Sequence, residues 1–488
     1  MNPRRDQMGK PLLCLAAAAA SAVMFWFGTG LHPVWWLTWI AALPVLLLAP
    51  RVGRWPAQLT AWLAWGVGGL NEWSYMHRVE VPLGVLLAVI IGPALVFGLA
   101  VMTWRALVLR GALARAAVAF ASTWVVFEFA LQRLSPHSTF GNLAYSQLNC
   151  LPILQVASLC GVAGISFLLF LVPGTIAALV VGEGTRAQKL ALAGGVAVLL
   201  VAIVAWGAWR LEAAPLQKGT APRVMVGLVA SDLPQNISPR LPAEKEQLFS
   251  QYGAQANQLI TRGAQVVIVP EKIARVPDAS ISAVDGAIGA AARDGAVVVI
   301  GVEHWTPSTK LNEARVYAFG QLQATYEKHH MLPAYEADLL PGTTRTIFQQ
   351  PSGEWGFEIC KDMDFPALSR QYGNDGVGLV LVPAWDFVVD GWLHDRMAMM
   401  RGVESGFSVA RAAKEGLLTL SDDRGRVLAE QRSDAADFAM LLAPIPVHHD
   451  TTLYDRWGDW FARLNVLVFV VIGITRFMPA YRKLPSRA

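Results

Sequence analysis

The sequence predicts a membrane protein in which a bundle of about eight transmembrane helices is joined to an α/β layered sandwich. Hydrophobic residues make up 54% of the 488 residues and charged residues only 16%, whereas soluble domains carry about 25% charged residues. The apolar residues are also unevenly placed, since 11–210 and 461–478 are almost continuously apolar and 211–455 alternates short apolar runs with polar segments. This composition excludes a disordered chain and argues against an ordinary soluble enzyme.

Eight segments are long and apolar enough to cross a membrane, which takes about 20 mostly apolar residues. The first segment is not a signal peptide, because further spans follow it and no clear small-residue cleavage site ends it. The fifth contains an acid, Glu128, which is either functional or paired with Arg133. The predicted spans are 11–30, 33–50, 56–76, 82–104, 114–133, 151–181, 190–209 and 460–478.

Lys and Arg residues concentrate in the N-terminal tail, in alternate loops and in the C-terminal tail. Cytoplasmic loops carry such an excess, and with eight spans these basic regions all fall on one side. Both termini are then cytoplasmic, and the α/β domain lies in the periplasm of a bacterium with two membranes; one miscounted span would place it inside. The net charge of +4 fits basic loops better than nucleic-acid binding. The basic residues are Arg4, Arg5, Lys10, Arg51, Arg54, Arg105, Arg110, Arg115, Arg186, Lys189, Arg476, Arg482, Lys483 and Arg487.

The chain therefore divides into a cytoplasmic tail (1–10), a seven-span membrane domain (11–210), an extracytoplasmic domain (211–455) and a final span with a cytoplasmic tail (456–488). In the extracytoplasmic domain, strand and helix patterns alternate, which predicts a layered α/β sandwich. The predicted strands are 223–229, 264–269, 296–301, 315–319, 323–327, 354–360, 378–382, 408–412, 417–421 and 427–430, and the predicted helices are 244–262, 280–294 and 396–405.

Three reactive polar residues, Glu271, Lys328 and Cys360, each follow a strand-like run. The ends of strands are where α/β folds often collect their site residues. A Cys can act as a nucleophile and a carboxylate as its base, while an ammonium group can stabilise an oxyanion. The order Glu, Lys, Cys therefore indicates a site for covalent catalysis.

No metal, nucleotide or disulfide motif accompanies these residues. The G-x-S-x-G, G-x-x-x-x-G-K-[ST], H-E-x-x-H and C-x-x-C motifs do not occur. The neighbours His329 and His330 do not face one way on a strand, and Asp362 and Asp364 lack a partner cluster. Four Cys in the whole chain are no disulfide framework. Neither a metal nor a cofactor is predicted.

The residues that flank the three positions carry a family resemblance. Val269-Pro270-Glu271, the segment from Tyr326 to Glu336 and the segment from Ile359 to Pro366 resemble motifs of the apolipoprotein N-acyltransferases, which are membrane members of the nitrilase superfamily. The resemblance covers nearly the whole chain. It extends to Arg401-Gly402-Val403-Glu404 and Arg411, and in the apolar part to Glu128 with Arg133, to Gly141 through Gln147 and to Gly161 through Phe167.

This resemblance implies an αββα sandwich and a role for each of the aligned residues. Cys360 resembles the nucleophile, Glu271 the general base and Lys328 the lysine on the oxyanion side. Glu336 resembles an additional active-site glutamate. The amide N–H group after the Cys would help to form the oxyanion hole.

The chain departs from the family pattern beside the nucleophile. Lys361 stands where an aromatic residue is usual, and Asp362 stands in place of a Glu; both would support the active site. Lys361 either favours the Cys360 thiolate electrostatically or points to solvent. Further departures at Lys272, 334–335, 383–387 and 414–416 leave the Glu–Lys–Cys chemistry intact and the acyl acceptor open.

The resemblance implies transfer of a fatty acyl chain from a phospholipid, through a Cys thioester, to the N-terminal amine of a diacylglyceryl-cysteine in a lipoprotein. Trp385, Phe387 and Trp392 would then form a lid that dips into the membrane interface, or would belong to the core. The first alternative is a membrane-anchored amidase or an acyltransferase with a different acceptor. The second is a transporter or scaffold without catalysis, against which the complete Glu–Lys–Cys set argues.

Overall fold

The described residues, 3–213, 222–239, 241–293 and 295–477 of the computed structural model, fall into two units. One unit comprises 3–130, 163–201 and 459–477, and the other comprises 131–162 with the described part of 202–458. The predicted cytoplasmic tail beyond residue 477 lies outside the described residues. The predicted domain boundaries stay a prediction.

Apolar helices build the first unit. Within the described residues, five helices are long and apolar enough to cross a membrane, and each matches a predicted span: Lys10–Gly28, Leu83–Val108, Leu113–Leu134, Val162–Val181 and Arg186–Glu212. The other three predicted spans overlap the shorter helices Leu43–Leu48, Arg54–Gly68 and Trp460–Phe477. The number eight therefore stays a prediction. Short helical pieces at Leu37–Trp39, Ala49–Arg51, Gly69–Glu72 and Trp73–Arg78 complete the unit.

Aromatic side chains form the centre of this unit. The rings of Trp124 and Phe170 stack with their centroids 4.8 Å apart, and the Trp65 ring lies 4.2 Å from Trp124. Stacked aromatic pairs stabilise beyond the area they bury, so these contacts fix three helices against one another. Glu128 lies buried on the helix that carries Trp124.

Within the described residues of the second unit, thirteen strands form two sheets. The first sheet has the order β13-β1-β2-β4-β5-β6, with β3 paired to β4, and the second has the order β12-β11-β10-β9-β8-β7. The strands are β1 Arg223–Ala230, β2 Val266–Ile268, β3 Arg275–Pro277, β4 Val297–Trp305, β5 Lys310–Ala318, β6 Gln321–Glu327, β7 Ile347–Gln350, β8 Gly353–Phe357, β9 Leu379–Trp385, β10 Ser408–Lys414, β11 Leu417–Ser421, β12 Val427–Arg432 and β13 Ala439–Pro446.

The two sheets pack face to face, and helices cover their outer faces. Side chains such as Leu228 and Leu381 fill the space between the sheets. Outside the first sheet lie the helices Pro242–Thr261 and Asp278–Ala291, and outside the second lie Pro366–Asn374 and Gly391–Ser405. The short helices Pro234–Ile237 and Leu453–Trp457 complete the unit. These four layers confirm the predicted αββα sandwich.

The 131–162 segment belongs to this second unit, although it lies between two apolar helices in the sequence. It contains the short helices Leu143–Gln147, Leu151–Leu154 and Ala157–Cys160. The Gln155 amide donates to the Arg424 carbonyl over 2.9 Å, and the Val162 N–H donates to Glu404 over 3.0 Å. Hydropathy predicted a span from residue 151 onward and a loop before it. Neither prediction indicated that the segment packs against the sandwich.

Candidate active site

The ends of three strands bring Glu271, Lys328 and Cys360 together. Glu271 follows β2, Lys328 follows β6, and Cys360 opens the helical turn Cys360–Asp364 after β8. The Lys328 Nζ lies 2.8 Å from Oε1 of Glu271, and both side chains are 2% exposed. The structure therefore brings Lys328 and Glu271 into contact, and the charges of both act on the Cys360 thiol.

Lys328 also bridges to Glu336, which the sequence predicted as an additional active-site glutamate. Its Nζ lies 2.8 Å from Oε2 of Glu336. Burial alone would lower the pKa of Lys328, but the carboxylates of Glu271 and Glu336 outweigh burial and raise it well above its usual range. Burial would raise the pKa of Glu336, yet Lys328 and Lys272 hold it below its usual range. The ammonium group is therefore fixed between two carboxylates.

Asn312 on β5 completes this polar cluster, although no sequence motif indicated it. Its amide donates to Oε1 of Glu271 over 2.6 Å and to Oε1 of Glu336 over 2.9 Å. The side chain is fully buried, so these two bonds hold both carboxylates in place. An Asn in a strand carries no sequence signal that distinguishes a site residue from a structural one.

Cys360 is a thiol in the resting site. Burial raises its pKa, the Glu271 carboxylate raises it further, and Lys328 opposes them. The Sγ lies 3.4 Å from the Trp385 carbonyl oxygen, to which the thiol donates. The backbone of Cys360 has a φ of 45°, a region that non-glycine residues rarely adopt and that often marks a functional turn. A base must take the thiol proton before this sulfur can attack.

Asp362 connects the turn Cys360–Asp364, named here the nucleophile turn after the predicted role of Cys360, to β6, which Lys328 follows. It is fully buried and accepts hydrogen bonds from the Tyr326 hydroxyl over 2.7 Å, the His330 N–H over 2.8 Å and the Ile359 N–H over 3.1 Å. A carboxylate with this many donors is rigidly held. Asp362 therefore supports the site by holding the residues before Cys360 and the residues around Lys328 in fixed positions.

Lys361 does not point to solvent, so that interpretation of the sequence is wrong. Its side chain is 6% exposed, and its Nζ lies 3.0 Å from Asp364 and 3.1 Å from Nδ1 of His137. The charges that act most strongly on the Cys360 thiol belong to Glu271 and Lys328. Lys361 is therefore directed toward the 131–162 segment.

The predicted lid residues are all half-buried. Trp385 ends β9, and its indole N–H donates to Glu415 over 2.6 Å. The Phe387 ring lies 5.2 Å from that of Tyr335, and the guanidinium of Arg396 lies 5.6 Å from the Trp392 ring. Trp385 lies beside the thiol, because its carbonyl accepts the hydrogen bond from Cys360. The lid itself stays a prediction.

Two further cations, Lys414 at a departure from the family pattern and Arg411 at a matching position, are buried in the second unit. Lys414 is fully buried, and its Nζ donates to the carbonyls of Ile237 and Lys272 over 3.0 and 2.9 Å. Arg411 binds Asp386 through two hydrogen bonds of 2.9 and 2.5 Å, with both side chains at most 2% exposed. Sequence spacing indicated neither partnership.

Two family profiles match the chain. One, described as the apolipoprotein N-acyltransferase N-terminal domain, matches residues 21–175, and the other, described as carbon–nitrogen hydrolase, matches residues 233–444. The first lies within the predicted seven-span domain, and the second runs from just after β1 into β13. Together they extend from the first apolar helix to β13.

The chain is similar to several curated apolipoprotein N-acyltransferases. It is 24% identical to the one from Geobacter metallireducens over 74% of each chain. It is 25% identical to that of Gloeobacter violaceus over 99% of this chain and 98% of the relative. It is 23% identical to that of Haemophilus ducreyi over 91% of this chain and 93% of the relative. The similarity to the last two relatives therefore extends across both units.

Among solved structures, the chain is similar to Saccharomyces cerevisiae Nit3, a member of the nitrilase superfamily, and to an amidase from Nesterenkonia. The identity to Nit3 is 18% with a TM-score of 0.39, covering 46% of this chain and 90% of Nit3. The identity to the amidase is 20% with a TM-score of 0.39, covering 50% of this chain and 96% of the amidase.

Proposed function

The chain belongs to the apolipoprotein N-acyltransferase family of the nitrilase superfamily, and we propose that Cys360, Glu271 and Lys328 are the residues that carry its acyl transfer. The acceptor is the α-amine of the diacylglyceryl-cysteine at the N-terminus of a lipoprotein, and the donor is a membrane phospholipid. The observation that carries the proposal is the Lys328 ammonium, fixed 2.8 Å from both Glu271 and Glu336 beside the Cys360 thiol.

The first half-reaction acylates Cys360. Glu271 takes the thiol proton while Sγ attacks the carbonyl carbon of the phospholipid ester. Lys328 and backbone N–H groups of the nucleophile turn stabilise the oxyanion that forms. The intermediate collapses with cleavage of the ester C–O bond, and the lysophospholipid alcohol leaves with the proton that Glu271 held. A thioester on Cys360 remains.

The second half-reaction transfers the acyl chain to the amine. The lipoprotein α-amine attacks the thioester carbonyl and gives a proton to Glu271. The C–S bond then breaks, the new amide leaves, and the thiolate recovers the proton from Glu271. The same carboxylate therefore acts first as a base and then as an acid in each half-reaction.

The buried charges give a reason why a dedicated base is needed. Because burial and the Glu271 carboxylate raise the pKa of Cys360, spontaneous ionisation supplies little thiolate at neutral pH. The hydrogen bonds from Asn312 and Lys328 to Oε1 of Glu271 fix the orientation of that carboxylate. General-base help of this kind contributes about a hundred- to ten-thousand-fold in rate.

The location of the enzyme follows from its substrates. Both substrates are lipids, and the described helices include five that can cross a membrane. We place the protein in the bacterial inner membrane with the sandwich on the periplasmic side, which is the arrangement that the basic loops predict.

The test is to give the purified protein a phospholipid without an acceptor. The protein should gain the mass of one acyl chain, labile to neutral hydroxylamine, and Cys360→Ala should gain none. Cys150→Ala, a substitution of a half-buried Cys elsewhere in the same unit, should gain it like the wild type. A diacylglyceryl-cysteinyl peptide should then discharge the thioester onto its α-amine.

Each negative result rejects a different part of the proposal. A thioester that this peptide never discharges would exclude the lipoprotein acceptor and favour a different one. A Cys360 that no phospholipid acylates would exclude the lipid donor, and small amides would become the substrates to test.

A further inference from the structure

Residues of the 131–162 segment hold the nucleophile turn through contacts that involve neither Glu271 nor Lys328. The Asp364 carbonyl at the end of the turn accepts hydrogen bonds from the Thr139 hydroxyl over 2.7 Å and from the Thr139 N–H over 3.3 Å. Tyr145 supports Thr139, because their hydroxyl oxygens lie 2.7 Å apart. One end of the turn is thus tied to a segment that is remote in sequence.

Lys361 ties the start of the same turn to the same segment. Its ammonium group can only donate a hydrogen bond, so Nδ1 of His137, at 3.1 Å, must accept. Burial and the neighbouring Lys361 lower the pKa of His137 to about 4, so the imidazole is neutral at neutral pH and can accept. The carboxylate of Asp364 at 3.0 Å balances the charge of Lys361.

The backbone is strained on both sides of this contact. Cys360 has a φ of 45°, and Ser138, which lies between His137 and Thr139, has a φ of 44°. Neither residue is a glycine, so each conformation persists only where surrounding contacts impose it. The bonds of Lys361 and Thr139 are the contacts that join the two strained points.

We propose that Lys361 is a positioning residue, whose side chain, held by His137 and Asp364, fixes the strained nucleophile turn so that its N–H groups meet the oxyanion. The inference rests on the proposed acylation of Cys360, because the N–H group that follows the nucleophile belongs to Lys361 itself. Its side chain leads away from the reacting atoms. It therefore acts on catalysis only through the backbone that carries it.

Alkylation distinguishes this role from a general effect on the thiol. Iodoacetamide reacts with a thiolate by displacement and forms no oxyanion, whereas an ester does. Acylation by a p-nitrophenyl ester and by phospholipid should both fall about tenfold or more in Lys361→Met, since correctly aimed oxyanion donors are worth about a hundred- to thousand-fold. Alkylation of Cys360 should stay within about twofold of the wild type.

Conservative and non-conservative substitutions at Lys361 and His137 test whether their hydrogen bond is what matters. Lys361→Arg keeps a cation that can reach His137, and His137→Gln keeps an acceptor, so each should acylate faster than Lys361→Met and His137→Leu respectively. Thr139→Val should lose acylation while keeping alkylation, because it removes one of the bonds to Asp364. Lys310→Met, at a partly exposed lysine paired with Asp338, and Asn149→Ala, at an exposed position of the same segment, should behave like the wild type.

Either of two results for Lys361→Met would exclude the proposed role of Lys361. If Lys361→Met acylates at the wild-type rate, or if its acylation and alkylation fall in parallel, Lys361 does not act on the oxyanion. The p-nitrophenyl ester decides this inference and the phospholipid decides the proposed function, so the two can fail separately. A wild-type thiol that is alkylated but accepts no acyl group from either ester would overturn both.

Discussion

The Nζ of Lys414 lies 3.6 Å from the centre of the Trp385 ring. The same ammonium group donates to the carbonyl of Lys272, the residue after Glu271, and Trp385 supplies the carbonyl that accepts from the Cys360 thiol. The buried Lys414 ammonium therefore contacts both the residue that follows Glu271 and the residue whose carbonyl contacts Cys360. A desolvated cation on an indole face is a favourable contact, but full burial lowers the pKa of Lys414 to about 7.

This lysine should make the stability of the protein depend on pH. Its pKa is about 7 in the folded chain and about 10.4 in an unfolded one. Below pH 7 both states are protonated, and the folded state bears the full cost of a buried ammonium. Between the two pKa values the unfolded state binds more protons, so the free energy of unfolding rises with pH across this window. Glu271, Lys272, Glu415 and Asp232 are the charged groups that face Lys414.

We expect Lys414→Met to lack this pH dependence. The melting temperature of the detergent-solubilised protein should be measured from pH 6 to pH 10 for both forms. The difference between wild type and variant should shift in favour of the wild type as the pH rises, whereas Lys310→Met should run parallel to the wild type. Parallel curves for Lys414→Met would show that Lys414 does not titrate in this range.

The buried pair of Arg411 and Asp386 should be a major contributor to folding. Asp386→Asn leaves the Arg411 cation buried without its counter-ion, which costs about 3–5 kcal/mol in comparable cases. The expected result is a markedly lower melting temperature and less folded protein. Arg432→Ala breaks the exposed pair with Asp434 and should leave the melting temperature unchanged. An Asp386→Asn protein as stable as the wild type would contradict the assignment of a charged pair.

Most strands of the sandwich could be predicted from the sequence, whereas β3, β7 and β13 could not. β1 was predicted as 223–229 and spans Arg223–Ala230, because a continuous apolar run marks a buried strand. β3 and β7 have three and four residues, too few for a period to show. β13 contains Pro444 and Pro446, which argue against a strand, and it tolerates them at a sheet edge beside β1 alone.

Some residues of the candidate site could be predicted from the sequence, and others could not. Glu271, Lys328 and Cys360 could be found because each follows a strand within a recognisable motif. Asn312 and Lys414 could not, since their roles come from partners that the fold brings together. The 131–162 segment is the clearest case, because His137 and Lys361 are 224 residues apart in the chain. Composition alone carries no information about such a contact.

The orientation in the membrane can be tested with fusions. Alkaline phosphatase, which is active only outside the cytoplasm, should be active when fused after Gly219 and inactive when fused after Lys483. Both fusion points lie outside the described residues, and the expectation rests on the excess of Lys and Arg in alternate loops. Reversed activities would contradict the eight-span model with cytoplasmic termini and would place the sandwich in the cytoplasm.

Glu271 and Lys328 should differ in how their loss affects the thiol. Glu271→Gln removes the base, so acylation by phospholipid should fall about a hundred- to ten-thousand-fold. Alkylation by iodoacetamide should also change, because the neutral amide neither takes the thiol proton nor raises the pKa of Cys360 as the carboxylate does. The pH profile of alkylation should therefore shift to lower pH in this variant.

Lys328→Met should behave differently, because it removes the cation and leaves the base. Acylation should fall about a hundredfold or more through loss of charge beside the oxyanion. Since Lys328 lowers the pKa of Cys360 and also holds Glu336 ionised, the alkylation profile should move to higher pH. Lys310→Met should change neither profile. If the two active-site variants shift the alkylation profile in the same direction, the charges of Glu271 and Lys328 do not act on Cys360 as the structure indicates, and the assigned roles of base and oxyanion-side cation would have to be abandoned.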